Sequence, residues 1–209
     1  WSRWFTGLYA AGSAACTGFH GAAPLSGNRL LDAICSGAAA GNQAGEWASG
    51  RKFSASSGLE TALAEAEGDV SAMMETGDES HVVRCGTVMA NLQAALAATS
   101  SLSADSMNKL QAKLEQISIS AESLYADQKS LIANPNLLEI LRAQAAVRMV
   151  TASVQSGLAR EESRGAFQRA DFPEPNDDFL HHITVDREGT VGSLAIKKGA
   201  GGHWVLPPQ

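Results

Sequence analysis

The residues best suited to chemistry lie near the start of the chain. Gly7, Gly12, Gly18, Gly21 and Gly27 punctuate a run that also holds Ser13, His20, Asn28 and Arg29. Glycine lets a backbone bend with positive φ or pass close to another surface, so this spacing suits direct contact between main chain and a ligand. A second group is charged: Glu161, Glu162, Arg164, Arg169 and Asp171 crowd a short stretch next to Gly165 and Pro173. Such a group has two uses. Arg164 or Arg169 could hold a substrate carboxylate, or the charges could pair and lock a helix end, and the lock is the commoner use.

The glycine-rich group needs a scaffold to aim it. The apolar run 8–11 predicts a short buried strand that ends at Gly12. After the turns, residues 30–41 predict a helix, with Ala33, Gly37 and Ala40 or Gly41 at helical spacing on one nearly bare face. A flat ligand or a sheet can lie close to such an axis. A packing corner of an ordinary α/β domain fits the same spacing, and spacing alone leaves both readings open.

The residue identities go further. Gly7, Leu8, Tyr9, Ala10, Gly12, Ala14, His20, Gly21, Ala22, Leu25, Asn28, Leu30, Leu31, Asp32, Gly37 and Ala39 fall in register with the last FAD-contacting stretch of a flavoprotein family. This segment resembles that part of the flavoprotein subunits of succinate dehydrogenase, fumarate reductase and L-aspartate oxidase. The run Cys16-Thr17-Gly18-Phe19-His20-Gly21 looks most like L-aspartate oxidase. A later block, residues 160–173 with the sequence REESRGAFQRADFP, resembles a second element of the family. Two ordered motifs about a hundred residues apart make the likeness far more specific than a lone glycine pattern.

The resemblance implies an FAD-dependent oxidoreductase that moves a hydride between a dicarboxylate and the flavin. It places Gly12, Ser13, Asn28, Arg29, Leu30 and Leu31 against the cofactor and His20 toward the substrate. The helix start at residues 28–31 would point its positive dipole at the flavin's carbonyl edge. Departures from the family pattern fall on the reactive side chains. Ser13 stands where the family has a glutamate, and Ala23-Pro24 stand where it has an Asn-Arg pair whose arginine binds the substrate carboxylate. Proline offers no guanidinium. Arg29 replaces a serine, and it reads either as a substitute cation or as a solvated helix-terminal side chain. In the later block Phe167 and Gln168 replace the family's residues.

The chain has 209 residues, 22 acidic and 16 basic, and a net charge of −6. With no basic stripe, nucleic-acid binding is not expected. No apolar run approaches the ~20 residues that span a bilayer. The three cysteines, Cys16, Cys35 and Cys85, have no paired spacing, and of the five histidines only His181 and His182 are adjacent, so neither a disulfide framework nor a metal site is expected. A reducing compartment, cytoplasm or mitochondrial matrix, is the simplest reading.

The predicted fold is mostly α: a terminal strand–helix piece of an FAD-binding α/β domain over residues 1–50, a helical bundle over 51–165, and a C-terminal loop and β-hairpin over 166–209. Residues 44–57 read as a linker or as a helix end followed by a loop. Within the bundle, helices are predicted at 59–66, at 82–98 with Val83, Val88, Leu92 and Leu96 inward, and at 102–126 with Leu110, Leu114, Ile117, Ala121 and Leu124 inward. The polar stretch 75–80 separates the first two. Asn134-Pro135 opens a fourth helix to about Leu158, with Leu137, Leu138, Leu141, Ala145, Met149 and Val154 as its stripe. Residues 181–198 read as a hairpin turning at Arg187-Glu188-Gly189, and the tail 199–209 is expected to drape over another surface.

No dinucleotide fingerprint G-x-G-x-x-G and no P-loop occur in the sequence. The chain is therefore expected to be inactive alone and to share FAD with an N-terminal FAD-binding polypeptide or chain region, the resemblance leaving room for an iron–sulfur subunit. It begins as if cut from something longer. A non-catalytic structural or assembly subunit that keeps the scaffold is the alternative expectation, favoured by Ser13 and Pro24.

Overall fold

The computed structural model describes residues 7–52, 57–75, 82–195, 197–198 and 204–205. The chain divides into two compact units, Trp1–Glu60 with Gly165–Phe167, and Thr61–Arg164 with Gln168–Gln209.

In the first unit a short 3-10 turn, Gly12–Ala15, precedes helix α1, Asn28–Ser49. Gly12, Gly18, Gly21 and Gly27 all take positive φ, the left-handed conformation that glycine adopts without a Cβ clash. The chain can therefore reverse repeatedly before α1 begins. Residues 8–11 form no strand and Leu8 is exposed. A strand needs a neighbour to satisfy its backbone groups, and among the described residues none lies beside this segment. Helix α1 runs past residue 41 into the stretch read as a linker or a helix end, and makes it a helix end, because Ala44, Glu46, Trp47 and Ala48 continue a helix-compatible run. Its end comes at Gly50.

Helix α2, Ser57–Glu75, spans the boundary between the units, and much of the separating stretch 75–80 lies outside the described residues. The second unit is built on α3, Cys85–Ala97, α4, Ala104–Glu122, and α5, Pro135–Ala159. Their contact faces form one apolar core of Val88, Leu92 and Ala95 from α3, Met107, Leu110, Leu114, Ile117 and Ala121 from α4, and Ile140, Ala143, Val147 and Val154 from α5. Met74 from α2 and Leu124 after α4 join it.

Both α4 and α5 start where their capping residues dictate. Ser103 and Ser106 form a reciprocal capping box at α4, and the Asn134 side chain accepts from the Asn136 and Leu137 amides ahead of α5, with Pro135 in the first turn. The expected α4 stripe is buried throughout. The expected α5 stripe is not: Leu138, Leu141, Ala145 and Met149 face outward, and Ile140, Ala143 and Val147 face the core. Apolar residues flank both sides of this helix, so periodicity admitted two faces, and small Ala143 is the one that lets α5 approach its neighbours closely. On α3 the same effect puts Ala95 inside and leaves Leu96 exposed.

After α5 the chain forms an antiparallel hairpin, β1 His181–Val185 with β2 Val191–Ala195, in the register Val185 opposite Val191. Gly189 turns it with φ +84°. Two short strands, β3 Lys197–Lys198 and β4 Trp204–Val205, pair beyond it. The rest of the tail lies outside the described residues.

Candidate functional site

Asn28, Arg29, Leu30 and Leu31 make up the first turn of α1. Gly27 caps this turn in a left-handed conformation without a side-chain hydrogen bond, and no acidic residue lies in it. The first amides of a helix have no partner within it and carry the positive end of its dipole. Apolar side chains crowd the same end in the open: Leu30 is 68% exposed and Leu31 59%, with Leu25, Phe19 and Ile34 exposed as well. Arg29 is exposed and makes no ion pair among the described residues. No residue of α1 is fully buried.

The preceding turns approach this helix at two points. Gly12, the one buried residue of the 3-10 turn, donates its amide to Ser36 Oγ at 2.8 Å. A Cβ on Gly12 would meet Ala33 at 3.4 Å, so the small-residue face does receive another backbone there. Gly37 and Gly41 on the same face have nothing beside them. The second point is His20, whose Nε2 lies 3.7 Å from Asp32 Oδ2, beyond hydrogen-bond distance, and makes no hydrogen bond among the described residues. Phe19 packs edge-on against its ring. Ser13 stays exposed and Pro24 is half-buried.

These residues fit a planar ring with carbonyl groups on its edge at the start of α1. The Leu25 carbonyl accepts the Asn28 amide at 3.1 Å and the Gly27 carbonyl accepts the Leu31 amide at 3.3 Å, which leaves the Arg29 and Leu30 amides without an acceptor among the described residues. Two such donors, no carboxylate in the turn and exposed leucines suit a flavin's carbonyl edge and ring face. The Gly12 amide, already held by Ser36, brings close approach rather than a free donor. Sequence reasoning missed Ser36 and Asp32, one helical turn apart. Their polarity on an otherwise small, apolar face was the available signal.

The charged block in the second unit forms a lock. Glu162 is 0% exposed. Its Oε1 lies 2.5 Å from Arg160 Nη1, both its oxygens accept from Arg164 Nε at 3.1 and 3.0 Å, and Oε2 accepts from the Asn176 amide at 2.9 Å. Burial alone would push this carboxyl up, but the hydrogen bonds from Arg164, Asn176 and Arg160 outweigh it and hold the pKa at about 2. Arg160 also donates to the Phe179 and His181 carbonyls at 2.9 and 2.6 Å.

Arg169, 2% exposed, donates to the Gly157 carbonyl at 2.8 Å and the Arg160 carbonyl at 3.0 Å, closing the end of α5, and its fork pairs with Asp171 at 2.7 and 2.6 Å. The Arg169 hydrogen bonds hold the Asp171 carboxyl far below the usual range. With Arg160, Glu162, Arg164, Arg169 and Asp171 all engaged by this chain, the block secures the end of α5, the start of α4 and the entry to the hairpin.

Comparison with known proteins agrees with both regions. Residues 3–30 match the FAD binding domain, and residues 87–199 match the family described as Fumarate reductase flavoprotein C-term. The second match reaches back into α3 and α4. The fumarate reductase flavoprotein subunit of Mycobacterium tuberculosis is 33% identical over 201 residues, covering 91% of this chain and 33% of that protein. The 8-methylmenaquinol:fumarate reductase flavoprotein subunit of Wolinella succinogenes is 31% identical over 199 residues, covering 88% and 31%. Among solved structures, the E. coli quinol fumarate reductase FrdA carrying the E245Q mutation aligns with a TM-score of 0.79 at 25% identity, over 97% of this chain and 35% of that one. The chain thus spans about a third of the length of these relatives. Over half of its 209 residues fall within the C-terminal match, and its helical unit agrees with it: the chain belongs to the fumarate reductase flavoprotein C-terminal family.

Proposed function

We propose that this chain is the C-terminal portion of an FAD-dependent oxidoreductase acting on a dicarboxylate, and that it completes a flavin pocket begun elsewhere. The observation that carries the reading is the first turn of α1, where Leu30 and Leu31 stand exposed beside the Arg29 and Leu30 amides, which have no acceptor among the described residues, with no acidic residue in the turn. In this reading Gly12, Ser13, Asn28, Arg29, Leu30 and Leu31 meet the cofactor and His20 faces the substrate. FAD, when bound, supplies the hydride-accepting chemistry. Residues 1–50 complete the FAD-binding domain, 51–165 form the helical domain and 166–209 the loop and hairpin region.

An N-terminal FAD-binding polypeptide or chain region is the partner this reading requires, and an iron–sulfur subunit is a further one. Among the described residues no helix is long and apolar enough to cross a membrane. A reducing compartment, cytoplasm or mitochondrial matrix, suits the unpaired Cys16, Cys35 and Cys85.

Co-expression with a dinucleotide-binding partner polypeptide tests the proposal. An oxidised-flavin absorbance band that co-purifies with the pair, and is bleached by succinate or by aspartate, supports it and separates the two substrate types. A folded, intact assembly without flavin refutes it.

A second reading is favoured by Pro24 and Ser13, which bring neither guanidinium nor carboxylate to the pocket. Here the chain is a non-catalytic structural or assembly subunit. Pro24→Arg discriminates: gain of dicarboxylate turnover in a flavin-loaded assembly supports a surviving site, and a loaded but inert variant supports the second reading.

A further inference from the structure

Serine in the middle of a helix commonly returns its hydroxyl proton to the carbonyl four residues earlier. Ser36 does this, donating to the Asp32 carbonyl at 2.5 Å. The bond fixes the hydroxyl rotor and leaves the oxygen's lone pairs aimed out of the helix. One of them accepts the Gly12 amide at 2.8 Å, from a residue 24 positions earlier.

Gly12 is where the turn meets α1 most closely. It is the only fully buried residue among the described residues 7–52, takes φ +58° and turns toward Ala33 the side on which a Cβ would stand. Van der Waals contact with an alanine sets distance but not rotation, because it has no direction. A hydrogen bond is directional, so the bond to Ser36 sets which way the 3-10 turn, and with it Ser13, faces.

We propose that Ser36 is a positioning residue: its hydroxyl, locked by the Asp32 carbonyl, orients the Gly12 turn toward the cofactor without touching the cofactor itself. The proposal rests on the flavin-pocket reading above. It assigns to the Gly12 amide a structural bond inside the protein and leaves the ligand-facing donors to the first turn of α1.

The test has two parts. In the isotopically labelled 209-residue chain, amide exchange at Gly12 is followed by NMR for the wild type, Ser36→Ala and Ser36→Thr. In the co-expressed assembly, stripped protein is titrated with FAD and followed by flavin absorbance. Ser36→Ala, a good helix residue, keeps the helical content, speeds Gly12 exchange at least about tenfold and weakens FAD binding about tenfold, the value of one such bond. Ser36→Thr retains the hydroxyl and restores both. Unchanged Gly12 exchange in Ser36→Ala overturns the proposal, as does a released amide with wild-type FAD affinity, or a Thr variant as weak as Ala. A wild-type assembly that takes up no FAD removes the flavin reading itself, and the positioning role with it. Equal uptake by wild type and Ser36→Ala overturns the positioning role alone.

Discussion

Asp171 Oδ2 accepts the amide of Ala104, the first residue of α4, at 2.8 Å from 67 positions along the chain. The same carboxylate pairs with the fork of Arg169, whose remaining nitrogen closes α5. One Arg–Asp pair therefore caps two helices of opposite polarity, an anion at the amino end of α4 and a cation at the carboxyl end of α5.

This arrangement ranks two substitutions. Ser103→Ala removes only the local cap of α4 and should cost about 1 kcal/mol. Asp171→Ala should lower the melting temperature more, because it also leaves nearly buried Arg169 without its counterion. Thermal unfolding of both variants side by side checks the order.

Glu162 sets an acid limit. Its pKa falls from the ordinary 4.5 to about 2 in the folded chain, so folding favours the ionised form. The stabilisation is complete above pH 4.5 and is lost as pH falls from there through about 2. Glu162→Gln should destabilise by about 3 kcal/mol at neutral pH, since it leaves Arg160 and Arg164 facing a neutral group. The variant's stability should then fall less steeply between pH 4.5 and 2 than that of the wild type, as measured by urea unfolding across the range.

On α5, Ile140→Ala should cost about 3 kcal/mol, as deletion from a filled core does, while Met149→Ala, at a position 68% exposed, should stay within about 0.5 kcal/mol. Chemical denaturation separates these outcomes, and the reverse ranking would mean that the helix presents its other face to the core.

A methyl group on Gly7 would lie 2.5 Å from the Trp47 ring, and Gly7 has φ +91°. Gly7→Ala combines a clash with a strained backbone and should cost about 1–3 kcal/mol. Loss of the native Trp47 fluorescence environment in that variant, at a temperature where the wild type keeps it, is the measurement.

The sequence by itself determined the local features. Asn134-Pro135 placed the start of α5, the glycines at 12, 18, 21 and 27 bend the chain with positive φ, and the α4 stripe was buried as spaced. Family membership was equally legible, since it rests on residue identities in order. Each of these depends on interactions within a few residues or on the residue types alone. Only the tertiary structure decided which of two apolar faces α5 buries, that residues 8–11 pair with no described strand, that Arg169 and Asp171 cap α5 and α4, and that Ser36 holds Gly12. Those outcomes depend on which distant group arrives opposite a given side chain, and periodicity along one helix contains no term for its neighbours.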